Sequence, residues 1–151
     1  VDNSEPMLAR ARELCAAHGW TEVAFGRADL QAVPLRDGCC DAAFCSMVLH
    51  HVARPGQAIA EMGRVVRPGG RVVVIDFARH DLAWMREELA HQWLGFTRQE
   101  LEAWSAEAGL RARAFQTYAG GRAPGGVGRR AGGRGAGAWP DLILFVAEKA
   151  S

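Results

Sequence analysis

"RVVRPGGRVVVIDF", residues 64–77, closes a helical pattern, breaks it at Pro68-Gly69-Gly70 and runs on into a nearly all-apolar, β-branched segment. A half-buried strand would alternate apolar and polar residues. This one is apolar on both faces, which places 71–77 inside a parallel sheet covered by helices. Just upstream, "RPGQAIAEMGRVV" (54–66) sets Ile59, Met62, Val65 and Val66 on one helical face. Before that, "VPLRDGCCDAAFCSMVLHHV" (33–52) puts the turn "RDG" ahead of an apolar run at 41–47. Strand, helix and strand therefore stand in order.

Working outward, "NSEPMLARARELCAAHG" predicts a helix over 5–18, with Ser4 as N-cap, Pro6 in the tolerant first turn and Gly19 as the stop. Its apolar face would be Met7, Ala11 and Leu14. "TEVAFGRADL" supplies a short strand at 22–26. Downstream, "HDLAWMREELAHQWLGF" repeats apolar residues at Leu82, Met85, Leu89 and Trp93, predicting a helix over 81–94 with Asp81 as N-cap. "TRQE" is a capping box, Thr97 to Glu100, with Phe96 and Leu101 placed as a hydrophobic staple, and opens a helix over 98–108. "LRARAFQTY" (110–118) and "DLILFVAEK" (141–149) read as strands. Residues 119–138, rich in glycine with interspersed arginines, bury too little apolar surface to order themselves and read as a mobile loop. Within it, "GGVGRRA" (125–131) mimics a dinucleotide fingerprint but lacks the strand before and the helix after that the motif requires. This alternation implies a doubly wound α/β sheet, in which ligands bind at the carboxyl ends of the strands.

The 151 residues, 49% hydrophobic, suit one domain with its own core. A net charge of +1 argues against general polyanion binding, which needs clustered cations, so no nucleic-acid contact is expected of this segment. No apolar run approaches the roughly 18 residues that span a bilayer, and no signal-peptide pattern opens the chain, so a cytoplasmic protein is expected. The cysteines, Cys15, Cys39, Cys40 and Cys45, fit no disulfide framework or metal spacing and read as reduced thiols.

Candidate chemistry follows from what ends each strand. A carboxylate just past a strand can accept from both hydroxyls of a ribose, and Asp2 fits if Val1 ends one. Asp29 follows 22–26 and either accepts from an exocyclic amine or caps a turn. Ser46, His50 and His51 lie at the end of 41–47; adjacent histidines do not share a metal as i, i+4 histidines on a helix do, so no metal is expected. Asp76 ends 71–77 and is a candidate base or orienting group. Trp84, Trp93 and Trp104 fall at helical positions and read as packing.

"VDNSEPML", "GRADLQAVPLRDGCCDAAFCSMVLHHV" and "RVVRPGGRVVVIDF", in this order and spacing, resemble the class I S-adenosylmethionine-dependent methyltransferases from the end of their second strand onward. The stretch "HDLAWMREELAHQWLGFTRQELEAWSAEAGL" further resembles methyltransferase domains fused to winged-helix repressors of the arsenic-responsive type. The resemblance implies one partial Rossmann-like domain: a cofactor part over 1–78, a helical substrate-side segment over 79–109, and C-terminal antiparallel strands over 110–151. It implies S-adenosylmethionine as cofactor, with Asp2 holding the ribose beside Asn3 and Met7 lining the adenosine pocket. Ala28, Asp29 and Leu30 would meet the adenine, and Cys45, Ser46 and Met47 the methionine part. The histidines would face a small-molecule methyl acceptor. The family's first strand, G-x-G-x-G loop and following helix are not in the sequence. A chain shortened at its N-terminus is therefore expected, with strand edges left unpaired where the sheet's centre would lie and no activity as this fragment.

Methyl transfer from a sulfonium is an in-line displacement with an excellent leaving group, so holding nucleophile and methyl in near-attack geometry carries most of the catalysis. A base matters only where the nucleophile must lose a proton, and His50, His51 and Asp76 are the candidates. Arsenite methylation would need thiolates at the cleft, where only Cys45 is well placed. Two other readings stand beside this one: a nicotinamide-dependent dehydrogenase, and a non-catalytic or regulatory cofactor-binding domain associated with a winged-helix repressor.

Overall fold

In the computed structural model, which describes residues 1–121 and 139–150, four strands form one mixed sheet. They are β1 (Cys40–Ser46), β2 (Val66–Phe77), β3 (Leu110–Tyr118) and β4 (Leu142–Lys149), in spatial order β1-β2-β4-β3. β1 and β2 run parallel, while β4 lies antiparallel between β2 and β3, the expected C-terminal antiparallel pair. The helices are α1 (Glu5–His18), α2 (Pro55–Val65), α3 (Trp84–Leu89) and α4 (Arg98–Glu107). Most of the glycine- and arginine-rich segment predicted as a loop, with "GGVGRRA" inside it, lies outside the described residues.

β2 organises the core. Val72, Val74 and Asp76 share one face and are fully buried, aligned with Cys45 of β1 and with Ala147, Phe145 and Ile143 of β4. Ile59, Met62 and Val65 of α2 and Leu101 of α4 join them in one apolar cluster. Fully burying side chains of this size stabilises by about 1.5–3 kcal/mol each, so this cluster is the main source of stability. The opposite face, on which Phe44, Val73 and Val146 align, is only half covered, and Phe44 on edge strand β1 is 74% exposed. The expectation of helices over both faces of β2 thus holds fully for one face.

Polar ties hold the frame. The Arg64 guanidinium donates to the Val33 and Leu35 carbonyls at 2.9 and 2.8 Å and pairs with Glu61 and Asp37, pinning loop 33–37 to α2 ahead of β1. That pairing holds the Glu61 carboxyl below its ordinary range. Lys149 Nζ donates to the carbonyls of Gly63 and Val66 at 2.9 and 2.8 Å, satisfying the end of α2 from the end of β4. The predicted capping box is formed, Glu100 N donating to Thr97 Oγ1 and Thr97 N to Glu100 Oε2.

Several expectations are corrected. Among the described residues, 22–26 form no ladder; Asp2 N donates to the Gly26 carbonyl beside an isolated parallel bridge of Asp2 with Arg27, and a strand without a ladder does not persist. α1 has the predicted bounds, but Met7 and Leu14 are exposed and Leu8 is its one buried residue. Ser4 occupies its N-cap position without a side-chain cap; instead the Asp2 carboxylate accepts from the Ser4 amide at 2.8 Å. The helix predicted over 81–94 is confined to α3, capped by Ala83 rather than Asp81, and stops where Ala90 turns left-handed at φ 54°. The amides of Gln92 and Trp93 then donate to the His50 carbonyl instead of continuing the helix.

The return to the sheet runs through Gly95, at φ 72°, where an added Cβ would lie 2.1 Å from the Ala78 carbonyl oxygen. The three nearest atoms are all backbone of Phe77 and Ala78, so no flexible side chain can yield. Gly95→Ala is expected to destabilise the protein by at least about 2 kcal/mol, read as a lowered urea midpoint against Gly121→Ala, a site with open space around it.

Candidate active site

A cleft of about 870 Å³ opens at the carboxyl end of β1. One wall is the bridge at the N-terminal end of the described chain, where Asp2 N donates to the Gly26 carbonyl at 3.2 Å and Ala28 N to the Asp2 carbonyl at 3.1 Å. The other wall is the end of β1 and the 3-10 turn Leu49–His51. All nine residues predicted to contact a cofactor line it: Asp2, Asn3 and Met7; Ala28, Asp29 and Leu30; Cys45, Ser46 and Met47. The cleft thus unites three segments distant in sequence.

Each acidic side chain uses one oxygen locally. Asp2 Oδ1 accepts from Ser4 N at 2.8 Å, and Asp29 Oδ1 accepts from Gln31 N at 2.8 Å, closing a turn in which Ala32 N also meets the Asp29 carbonyl. Among the described residues neither Oδ2 has a partner, so each carboxylate is fixed in direction and still able to accept from a ligand. Among the described residues no glycine lines the cleft, and the recognition these three segments offer comes from their side chains and backbone.

The end of β1 is bent sharply. Met47 takes φ 55°, an uncommon conformation for a non-glycine residue, while its amide still donates to the Ile75 carbonyl at 2.8 Å. This turn swings the chain from β1 into Leu49–His51 and leaves Ser46 and Met47 at the cleft. Cys45 is nearly buried, and burial together with the nearby Asp76 charge pushes its thiol up to about 12. It is a neutral floor of the cleft and no thiolate at physiological pH.

The three candidate bases are placed differently. Asp76 is fully buried and lines no part of the cleft; its Oδ1 accepts from His50 Nδ1 and from Phe77 N, both at 2.7 Å, and its Oδ2 from His50 N at 3.3 Å. His50 is likewise buried. His51 alone of the three opens into the cleft, its pKa lowered by partial burial and then by His50. Gln92, which the sequence pattern placed inside a helix, also lines the cleft and donates to the His51 carbonyl at 2.8 Å. No spacing signal foretold it, because the apolar repeat runs unbroken to Trp93. Trp93 and Trp104 pack edge to face at 5.7 Å against the core, as predicted, and Trp93 Nε1 donates to the Val52 carbonyl.

Residues 1–74 match a family model described as "Methyltransferase domain". Among curated proteins, the chain is 42% identical over 77 residues to a demethylmenaquinone methyltransferase of Thermus thermophilus, covering 51% of this chain and 34% of that one. It is 33% identical over 97 residues to a ubiquinone/menaquinone biosynthesis C-methyltransferase of Acidiphilium cryptum, covering 62% and 37%. It is also 45% identical over 74 residues to an uncharacterized 37.1 kDa transposon protein of Streptomyces fradiae, covering 49% and 21%. The chain thus spans between 21% and 37% of the length of these relatives. Among solved structures, a Bacillus halodurans protein superposes with a TM-score of 0.84 at 16% identity, over 99% of this chain and 81% of that one. A SAM-dependent methyltransferase of Methanosarcina mazei superposes with a TM-score of 0.69 at 15% identity, over 99% and 80%. At these identities the structural likeness establishes the Rossmann-like fold.

The buried, neutral Cys45 has a chemical signature. Native protein treated with iodoacetamide at pH 8 is expected to be alkylated at exposed Cys39 and to remain unmodified at Cys45 until urea is added, by peptide mapping.

Proposed function

We propose that this chain serves S-adenosylmethionine-dependent methyl transfer as part of a class I methyltransferase, the kind of protein that its family match and relatives support. The observation that carries the proposal is the meeting of all nine motif residues in one cleft at the carboxyl end of β1. Asp2 accepts hydrogen bonds from the ribose hydroxyls, with Asn3 and Met7 flanking the adenosine. Asp29 accepts from the adenine amine between Ala28 and Leu30. Cys45, Ser46 and Met47 border the sulfur side. The cleft volume is that of an ordinary small-ligand site, and the unpartnered carboxylate oxygens match the donors such a cofactor carries.

S-adenosylmethionine, when bound, supplies an electrophilic methyl group on a sulfonium. The protein's part is to orient the acceptor in line and to exclude water. Buried, uncharged Cys45 keeps a competing thiolate away from the methyl. His51, kept neutral by its lowered pKa, takes a proton where the acceptor must lose one. Asp76 and His50 act behind it, as a positioning pair. The acceptor is a small molecule, and the relatives named for demethylmenaquinone make such a quinone the first acceptor to try. The family model matches residues 1–74, and these relatives match 77 and 97 residues of this chain, so they favour the enzyme over a regulatory domain more than they select an acceptor.

Calorimetry with S-adenosylhomocysteine tests the reading. Binding is expected, and Asp2→Ala is expected to weaken it at least about tenfold, since a hydrogen bond to a charged group contributes roughly 1.5–3 kcal/mol. Tight binding of NAD with none of S-adenosylhomocysteine would overturn it.

A further inference from the structure

Three histidines from two separate segments converge behind the cleft. One ring nitrogen from each of His50, His51 and His91 lies within 4.8 Å of the other two. The rings of His50 and His51 are 4.1 Å apart between centroids, those of His50 and His91 4.2 Å, and those of His51 and His91 5.0 Å. We propose that these three imidazoles bind one divalent transition-metal ion of the zinc class, with Asp76 orienting His50. The site stands on its own geometry and does not rest on the methyl-transfer reading.

His50 is held as a metal ligand would be. A carboxylate can only accept, so the 2.7 Å contact with Asp76 Oδ1 fixes the hydrogen on His50 Nδ1 and leaves the Nε2 lone pair directed away from the carboxylate. A carboxylate behind a ligating histidine sets its tautomer and raises its basicity. Asp76 is fully buried between Val74 and Phe77 in the sheet, an environment that penalises a charge unless it is well partnered. Its partners are two backbone amides and this one ring.

His91 supplies the second, independent observation. It is 6% exposed, and its Nδ1 is buried with no hydrogen-bond partner among the described residues. Buried polar atoms in folded proteins are nearly always partnered, so an unpartnered nitrogen on a ring 4.2 and 5.0 Å from two other imidazoles calls for an occupant. The backbone is bent to bring it there: Ala90 goes left-handed and ends α3 one residue before His91. Neighbouring His80 is set up differently. Its Nδ1 accepts from Leu82 N at 3.2 Å, which puts its hydrogen on Nε2 and removes it as a ligand in that tautomer.

The donor set selects the ion. Three neutral imidazoles suit zinc, cobalt, nickel or copper rather than magnesium or calcium, which take oxygen ligands. Tetrahedral zinc at about 2.0–2.1 Å from each nitrogen sets those nitrogens roughly 3.3 Å apart. The three nitrogens lie within 4.8 Å of one another, so closing onto an ion takes a contraction of at most about 1.5 Å, and exposed His51 has the most freedom to rotate. Three protein ligands leave a position open, and because His51 also lines the cleft, an ion held there takes the ring nitrogen that otherwise accepts a proton from the acceptor. Sequence spacing argued against a metal because it weighed the adjacent pair alone; the third ligand arrives from the far side of α3.

The test is a cobalt(II) titration of the chelator-treated full chain carrying Cys39→Ser and Cys40→Ser, so that the vicinal thiols, 3.7 Å apart, take no ion. One equivalent is expected to raise visible bands typical of four- or five-coordinate cobalt, which zinc then abolishes by displacement. His51→Gln and His91→Gln are each expected to weaken binding at least tenfold, and Asp76→Asn by 10- to 100-fold. Exposed, remote His18→Gln is expected to leave it unchanged. Where a buried-site variant fails to fold, as judged by circular dichroism in chelator, exposed His51→Gln decides. Absence of binding at millimolar cobalt, or affinity unchanged in His51→Gln, overturns the proposal and leaves an aromatic packing cluster around Phe77. Because S-adenosylhomocysteine binding is measured in chelator, its outcome is separate.

Discussion

The carboxylate of Asp76 ties together the ends of the two parallel strands. It sits at the end of β2 and holds both the amide and the ring of His50, the residue that follows the bend out of β1. The His50 carbonyl in turn accepts from Gln92 and Trp93, so the segment after α3 is hung from the same residue. Without that carboxylate the turn Leu49–His51 loses its anchor, and with it the wall of the cleft that carries His51 and Gln92. A single buried charge thereby sets geometry in β1, β2 and the 90–95 segment at once, which explains how an acid is tolerated in the apolar face of the sheet.

Local signals dominated what could be read in advance. α1 and the capping box at Thr97 have the bounds the sequence predicts because caps and stops act within a few residues. β2 was legible because an all-apolar, β-branched run has few alternatives. Residues 22–26 look equally like a strand, yet pairing belongs to two segments, and here only Asp2 offers a partner. The predicted helix over 81–94 failed for a related reason: its spacing is sound, but the His50 carbonyl competes for two of its amides. Met7 and Leu14 kept helical spacing without burial, since spacing declares a face and cannot supply something to cover it.

The candidate site divides along the same line. Residues placed by the Asp2–Arg27 bridge and by the end of β1, from Asp2 to Met47, fall together because that bridge lies beside that strand end. The depth of a side chain is a different property. Asp76 and His50 end their strand and turn as expected, yet both point into the core, and alternation along a strand decides this only once the covered face is known. His91 and Gln92 were invisible because their positions depend on the break at Ala90, a residue with no sequence signal for the left-handed conformation it adopts.

The placement of β4 between β2 and β3 has a consequence for biosynthesis. β2 can pair with β1 as soon as α2 is made, but its other edge, and the inner edge of β3, stay unsatisfied until residues 142–149 leave the ribosome. Before then the nascent chain presents two open hydrogen-bonding edges flanking the buried apolar pair Val72 and Val74. Such a gap is slow to fill, because loop closure precedes any gain from pairing, and it attracts strands from other chains meanwhile. The sheet therefore matures in a single late insertion event, and the interval before it is when this protein most needs a chaperone.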